Sequence, residues 1–187
     1  MGLLREGINE VIATTKLNAA PIGIIKRNDA TPKMVLFHGT HTKKNILDSG
    51  VVVANLIYDP VCYVKTAFED ISKDHFVEKK VNDFTVWHLR EAEAWAAYET
   101  KVLHDTEESI VVELTLIKEE ILKSETHPVN RGFNNIIDAT VHATRYVLNR
   151  DPNLKSLIDY HLSVARKCGG KRELKAVELL NSYIDSE

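Results

Sequence analysis

The stretch that decides how this chain is interpreted is Phe37-His38-Gly39-Thr40-His41-Thr42-Lys43-Lys44-Asn45. A short apolar run, residues 34–37, ends here and is followed by a glycine and then by hydroxyl-bearing residues. Thr40 and Thr42 are favourable N-cap residues, and Gly50 stands where a helix would end. The stretch therefore predicts a strand, a tight turn and the start of an α-helix.

The same stretch has the chemistry of a phosphate-binding helix start. Backbone N–H groups in the first turn of a helix lack partners, and the helix dipole adds partial positive charge, so a phosphate is well matched to such a place. Gly39 lets the backbone approach closely, and Asn45 lies one turn beyond Thr42 on the same side. The alternative interpretation is a threonine cap without any ligand. The candidate ligand-binding residues of this stretch are His38, Gly39, Thr40, His41, Thr42 and Asn45.

Before this stretch the chain has the pattern of a β-hairpin. Apolar runs at residues 11–15 and 19–26 are separated by a short polar break. Pro21 predicts a strand edge or a bulge, because proline has no N–H to give to a ladder. The small residues here leave room for a flat ring against the backbone, and the alternative is an edge strand without a ligand. The candidate residues are Ala20, Pro21, Ile22 and Gly23.

After the helix the pattern predicts more strands. Residues 51–54 indicate a buried strand, and Asp59-Pro60 an N-cap with proline at the first helical position. The charged residues 72–83 are expected to form a loop. Residues 92–104 and 109–118 predict two long strands. In the second of these strands, alternation predicts a core-facing set, namely Val112, Leu114 and Leu116.

Beyond Pro128 the apolar spacing becomes helical. The apolar positions of the first helix are Phe133, Ile136, Ile137, Val141, Thr144 and Leu148. Asp151-Pro152 begins a second helix, and a third follows Gly169-Gly170. Arg131, at the start of this tail, is a candidate phosphate partner because its planar fork gives two hydrogen bonds. A surface salt bridge is the alternative.

The composition of the 187 residues is that of an ordinary globular protein, with 44% hydrophobic and 27% charged residues. A net charge of −3 gives no reason to expect nucleic acid or a membrane surface as the partner. No segment approaches the ~20 apolar residues of a membrane span. Two distant cysteines, Cys62 and Cys168, fit a reducing cytoplasm. We therefore expect a cytoplasmic protein without nucleic-acid or membrane partners.

The remaining polar residues predict no catalytic machinery. His38 and His41 are three residues apart, but nothing at a helical spacing completes a metal site, and we expect no metal. No serine lies in a nucleophile-elbow context. No catalytic side chain is assigned from the sequence.

Taken in order, several segments resemble an archaeal flavoprotein family of unknown function within the FMN-binding split-barrel superfamily. The similarity extends from about Glu6 to Tyr183. The segments that carry it are residues 9–15, 18–23, 39–45 and 59–60, with Asn130-Arg131 and Thr144-Arg145 resembling the helical tail of that family.

The wider resemblance is to flavin reductase-like domains, in which a strand with Ala-Pro lies beside the isoalloxazine and a Thr-x-x-Asn helix start holds the FMN phosphate. Ala20-Pro21 and Thr42-Lys43-Lys44-Asn45 match these elements. The resemblance implies an α+β fold, mainly β with helices: a six-stranded FMN-binding split β-barrel, residues 1–128, followed by a C-terminal helical subdomain, residues 129–187. It also implies a homodimer with FMN near the subunit interface.

The expected function is that of a flavin-dependent oxidoreductase. The cofactor would supply the redox step while the protein orients and tunes it, and a nicotinamide or another electron donor is the expected partner. Nothing in the sequence names the substrate. A non-catalytic FMN-binding protein for storage or sensing is the alternative, and an interaction module without a cofactor is a third class.

Overall fold

The computed structural model describes residues 2–185, in two compact units. The barrel unit contains the described residues up to Ile57 together with Ile71–Glu125. The helical unit contains Tyr58–Asp70 and the described residues from Thr126 onward. The predicted α+β class is confirmed. Within residues 2–185 no helix has the length and apolarity that crossing a membrane requires.

Six strands of the barrel unit close into a barrel with the order β1-β2-β3-β8-β7-β4. Every strand contact in the barrel is antiparallel. The predicted six-stranded barrel is therefore confirmed. The bounds of the six strands are β1 Gly7–Thr15, β2 Asn18–Lys26, β3 Lys33–Phe37, β4 Val51–Leu56, β7 Ala94–Asp105 and β8 Ser109–Ile121.

The predicted hairpin of β1 and β2 is confirmed. The strands pair from Thr15↔Asn18 outward, around a two-residue turn in which Lys16 has a positive φ of 53°. Pro21 lies opposite Ile12. On its other side β2 pairs with β3 only at Ile25↔Lys33, so Pro21 does lie on a strand edge that lacks a ladder partner.

The helix expected after β3 is also confirmed. α1 spans His41–Ser49 with Thr40 as its N-cap. Gly50 ends it in the left-handed conformation, with φ 66°, and its N–H bonds to the Ile46 carbonyl. Because Thr42 and Ile46 form the buried side of this short helix, its start is held against the barrel.

The sequence predicted a loop at residues 72–83, and this prediction is wrong. After a 3-10 turn at Lys73–His75, β5 (Phe76–Val81) and β6 (Phe84–Leu89) form an antiparallel two-stranded sheet. In β5 only the first and last residues are buried, and the charged residues between them hide the strand alternation. We call this pair of strands the β5–β6 hairpin.

The core of the barrel unit is built from side chains of all six barrel strands and α1. Val112 and Leu114 of β8 face it as predicted. Leu116 was predicted to join them and is instead 47% exposed. The register of β7 and β8 shifts between Ala97 and Tyr98, and such a bulge interrupts the alternation of a strand.

The helical unit has a separate core. It packs helices α2 (Pro60–Phe68), α3 (Arg131–Asn149), α4 (Pro152–Cys168) and α5 (Lys171–Asp185). The buried face of α3 differs from the one that the sequence predicted. Its buried side chains include Ile136, Ala139 and Ala143, whereas Leu148 is 85% exposed. Small residues allow close helix approach, so the larger side chains on the adjacent face lie outside.

Candidate functional site

The start of α1 is shaped by the backbone between β3 and the helix. The His38 N–H donates to the Glu108 carbonyl at 3.0 Å, which continues the β3–β8 contact. Gly39 then takes a φ of +81°, a conformation that favours glycine. Thr40 returns to an extended conformation, with φ −82° and ψ 143°, and α1 begins at His41.

Four consecutive N–H groups at this helix start are available to a ligand. The Thr40 side chain accepts from the Lys43 N–H, and the Thr40 carbonyl accepts from the Lys44 N–H, both at 3.3 Å. For the N–H groups of residues 39–42 we find no acceptor within residues 2–185. With the positive end of the helix dipole, such a donor set suits an anion.

The side chains of Thr42 and Asn45 fix this helix start to the β1–β2 hairpin. Thr42 is buried, and its hydroxyl oxygen accepts from the Asn18 side-chain amide at 3.0 Å. The Asn45 amide donates to the carbonyl and hydroxyl oxygens of Thr15 at 3.1 and 3.2 Å. The structure thus gives both side chains partners within the protein, and their contact with a phosphate stays a prediction.

The His38 ring contacts the turn between β7 and β8 and the side chain of Lys43. Its Nε2–H donates to the Thr106 carbonyl at 2.7 Å, and its Nδ1 accepts from the Lys43 ammonium. Asp105 lies 3.4 Å from Nε2. His41, by contrast, is exposed at the first position of α1. His38 therefore organises the surroundings of the helix start, with the Lys43 charge beside it.

The β2 segment Ala20–Gly23 lies on the partly exposed edge strand next to this helix. Asn18, two residues before Ala20, makes the bond to Thr42 described above. A Cβ at Gly23 would come within 2.9 Å of Ile8 Cγ2, so a larger residue there would displace the exposed side chain of Ile8 on the neighbouring strand. The other side chains of this segment, those of Ala20, Pro21 and Ile22, are small or of medium size.

Arg131 lies in the helical unit, at the first position of α3, and is exposed. The cap of this helix differs from that of α1. The Asn130 side-chain oxygen accepts from the N–H groups of Gly132 and Phe133 at 2.7 and 3.3 Å. The N–H groups of this helix start are thus partly engaged, and the role of Arg131 stays a prediction.

The candidate residues taken from the sequence did not include Thr15 and Asn18, although both lie in segments that carry the family resemblance. They flank the two-residue turn of the β1–β2 hairpin, and a hydroxyl and an amide at such positions are usually ascribed to the turn itself. Only the fold brings them to α1, since they lie 30 and 24 residues from their partners.

Two sequence profiles match the chain. "Protein of unknown function (DUF447) N-terminal domain" matches residues 9–123, and "Protein of unknown function (DUF447)" matches residues 130–182. Among solved structures, an FMN-bound protein of the DUF447 family from Methanosarcina mazei superposes with a TM-score of 0.90. It is 38% identical, and the match covers 96% of each chain.

A more distant match concerns the fold alone. The FMN-binding protein from Thermus thermophilus with bound 1-cyclohex-2-enone superposes with a TM-score of 0.50 and 11% identity, over 65% of this chain and 77% of that one. The same barrel architecture is therefore found in proteins with little sequence in common, as in the split-barrel fold expected from the sequence. On the strength of the two profile matches and the Methanosarcina mazei structure, this chain belongs to the DUF447 family.

Proposed function

We propose that this protein is an FMN-binding flavoprotein that passes electrons or hydride through the bound cofactor. The observation that carries the proposal is the row of four N–H groups at residues 39–42, at the start of a nine-residue helix. The FMN-bound family member from Methanosarcina mazei, alike over 96% of both chains, supports the choice of cofactor.

The FMN phosphate would lie at the start of α1. The N–H groups of residues 39–42 suit the phosphate oxygens, and the ammonium groups of Lys43 and Lys44 add positive charge. The Thr40 hydroxyl oxygen accepts from Lys43, and its proton goes to the Phe37 carbonyl at 3.0 Å. Thr40 therefore shapes the helix start, while the backbone supplies the donors.

The isoalloxazine ring would lie along the edge of β2. In the part of the chain that the structure describes, the backbone groups of this strand that point away from β1 have no ladder partner between Asn18 and Ile24, so they can bond to the polar edge of a flat ring. The proposed cofactor-binding set includes Ala20, Pro21, Ile22 and Gly23 on this strand. Arg131 of the helical unit is the proposed additional phosphate partner.

Bound FMN supplies hydride and single-electron chemistry, and the chain supplies position and electrostatics. Hydrogen-bond donors of the chain along the bound ring would favour the cofactor state that carries more negative charge there. We propose a nicotinamide or another small electron donor as the reductant. Along the sequence, residues 1–128 would then form the cofactor-binding part and residues 129–187 the helical subdomain, with Tyr58–Asp70 as the segment of the first part that belongs to the compact helical unit.

A homodimer is proposed from the outer surface of the barrel. Val35 and Phe37 of β3 are 39% and 59% exposed, and Val111 lies directly opposite Val35 on β8. Apolar side chains exposed together often mark an interface. Phe37 directly precedes His38, so a partner on this surface would place the phosphate site near the subunit interface.

We also propose a cytoplasmic location, since Cys62 and Cys168 are both free thiols.

The decisive experiment is an absorption spectrum of the purified protein, followed by mass identification of the ligand released on denaturation. We expect flavin absorbance and the mass of FMN. A colourless protein that takes up no FMN on titration would overturn the proposal.

Electron transfer is tested separately by adding NADH or NADPH to the FMN-loaded protein under exclusion of oxygen. Rapid bleaching of the flavin is the expected result. If dithionite reduces the flavin while neither nicotinamide does, the proposed nicotinamide donor is excluded, and the storage or sensing role becomes the better description.

A further inference from the structure

Within residues 2–185, the β5–β6 hairpin is attached to the barrel without any ladder of backbone hydrogen bonds. It forms a sheet of its own. Two hydrogen bonds between side chain and backbone connect it: Thr14 Oγ1 donates to the Trp87 carbonyl, and the Leu89 N–H donates to Asn55 Oδ1 at 2.7 Å. Lys79 of β5 also forms an ion pair with Glu120 of β8 at 2.9 Å.

The rest of the attachment is apolar. Val81 and Val86 of the hairpin are buried in one cluster with Val51, Val53 and Trp95 of the barrel. Elements held by side chains alone can open locally while the rest of the structure stays folded. The hairpin is therefore the part of the barrel unit best suited to separate as one piece.

His88 lies inside this attachment. It is 4% exposed, and its Nδ1–H donates to the Leu89 carbonyl at 3.0 Å. Its ring is parallel to that of Trp95, with 5.3 Å between centroids and 3° between planes. Nε2 is buried and has no hydrogen-bond partner within residues 2–185. A proton at Nε2 would create a buried N–H and a positive charge with no acceptor.

The charged groups around His88 do not offset such a charge. Burial lowers the pKa of His88, and the cations Lys79 of β5 and Arg90 after β6 lower it further. Glu120 of β8 acts in the opposite direction, but both of its oxygens accept from the Lys79 ammonium. From the other packed strands, β1, β4 and β7, the polar and aromatic side chains that contact β6 include Thr14, Asn55 and Trp95, which do not titrate in this range.

We propose that the β5–β6 hairpin is an acid-sensitive flap that separates from the barrel when His88 takes up a proton from solvent at Nε2. In the separated hairpin the imidazolium is hydrated and has its ordinary affinity for the proton. In the attached hairpin the same proton is strongly disfavoured. Protonation and opening are therefore linked, and each promotes the other.

The direction of the pH dependence follows from this linkage. The pKa of His88 is lowered in the closed form, so above about 6.5, the ordinary value for histidine, neither form binds the proton and opening does not depend on pH. Below about 6.5 the open form binds one more proton than the closed form. The opening constant then rises by up to about tenfold for each unit of falling pH, until the closed form is protonated as well.

Segment-resolved hydrogen exchange of the protein as purified, between pH 8 and pH 5, tests the flap. A detached two-stranded hairpin is only marginally stable in water, so after correction for the intrinsic exchange chemistry peptides covering residues 76–89 should lose protection below pH 6.5, while peptides from β1 and β8 keep it. Loss of protection in all peptides together would mean global unfolding and would overturn the proposal. So would an unchanged hairpin at pH 5.

Two variants test whether His88, and not another titratable group, causes the pH dependence. His88→Gln should abolish the pH dependence of hairpin exchange, whatever its basal level. His75→Gln is the matched control, because His75 lies just before the same hairpin, has a side chain that is 40% exposed and pairs with Glu91 at 2.9 Å. It should retain the wild-type pH dependence. A pH dependence that survives in His88→Gln, or that disappears in His75→Gln, assigns the effect to another group and refutes the proposal.

Tryptophan fluorescence gives an independent readout that needs no variant. The chain has two tryptophans, Trp87 in the hairpin and the buried Trp95 beneath it. Opening should shift their emission to longer wavelength over the same pH range as the exchange. An emission maximum that stays constant while exchange increases would contradict separation of the hairpin from Trp95.

Discussion

Replacing His41 with proline removes one proposed phosphate donor and leaves the helix intact. His41 is the first residue of α1, the position at which proline fits a helix best, since its fixed φ suits the helix and its N–H has no helical acceptor. The residue before a proline must be extended, and Thr40, with φ −82° and ψ 143°, already is. The substitution thus deletes an N–H group without a change of backbone path.

The expected loss can be worked out from that single hydrogen bond. A hydrogen bond to a charged group contributes about 1.5–3 kcal/mol, which corresponds to a roughly 10- to 150-fold weaker affinity for FMN. Riboflavin has the same ring and no phosphate, so its affinity should not change. The proline itself should stabilise the fold by about 0.4–1 kcal/mol through the unfolded chain.

His41→Ala is the matched control, because it removes the imidazole and keeps the N–H. Dissociation constants for FMN and riboflavin, measured by fluorescence titration on both variants and on the wild type, give the comparison. If His41→Pro binds FMN as tightly as His41→Ala does, the N–H of residue 41 does not contact the phosphate. Equal weakening of FMN and riboflavin in the proline variant would point to a distorted site and would equally contradict the reasoning.

Three further predictions concern stability. Asn45→Ala removes both hydrogen bonds to Thr15, so we expect the free energy of unfolding in urea to fall by about 1–3 kcal/mol and FMN to bind more weakly; a variant equal to wild type in both would refute the role of this amide. Gly132→Ala would place a Cβ 2.6 Å from Gly169 Cα, and we expect a loss of about 1–3 kcal/mol in the same assay, which an unchanged urea midpoint would contradict. Burial lowers the pKa of His142, so the unfolded chain binds this proton first and stability should fall as pH drops below about 6.5; His142→Gln should show a weaker pH dependence of the urea midpoint, and an identical dependence would exclude this residue as the cause.

Local signals were sufficient for the β1–β2 hairpin and for α1. The polar break at residues 16–18 and the Thr40–Gly50 cap pair act within a few residues, so the sequence contains what determines them. The β5–β6 hairpin could not be found in this way. Its alternation is masked by exposed Glu78 and Lys80, and the surface that it covers is formed by strands elsewhere in the chain.

The candidate site was also predictable from the sequence only in part. A helix start preceded by glycine is visible in residues 39–42, and the structure shows that its N–H groups are available. The functions of Thr42 and Asn45 depend on Asn18 and Thr15, partners supplied by a hairpin that is distant in sequence. A side chain that suits an anion by its chemistry can be used by the fold to position the backbone instead.

The membership of α2 in the helical unit has a consequence for how this chain can be divided. The polypeptide passes from one unit to the other after Ile57, returns after Asp70 and leaves again after Glu125. A fragment ending near residue 125 would carry Val61, Val64 and Phe68 without the later helices that bury them. A fragment beginning near residue 126 would lack α2, one of the helices that form its apolar core. During synthesis α2 leaves the ribosome long before its partners, so the helical unit is completed only when the last helix has been made.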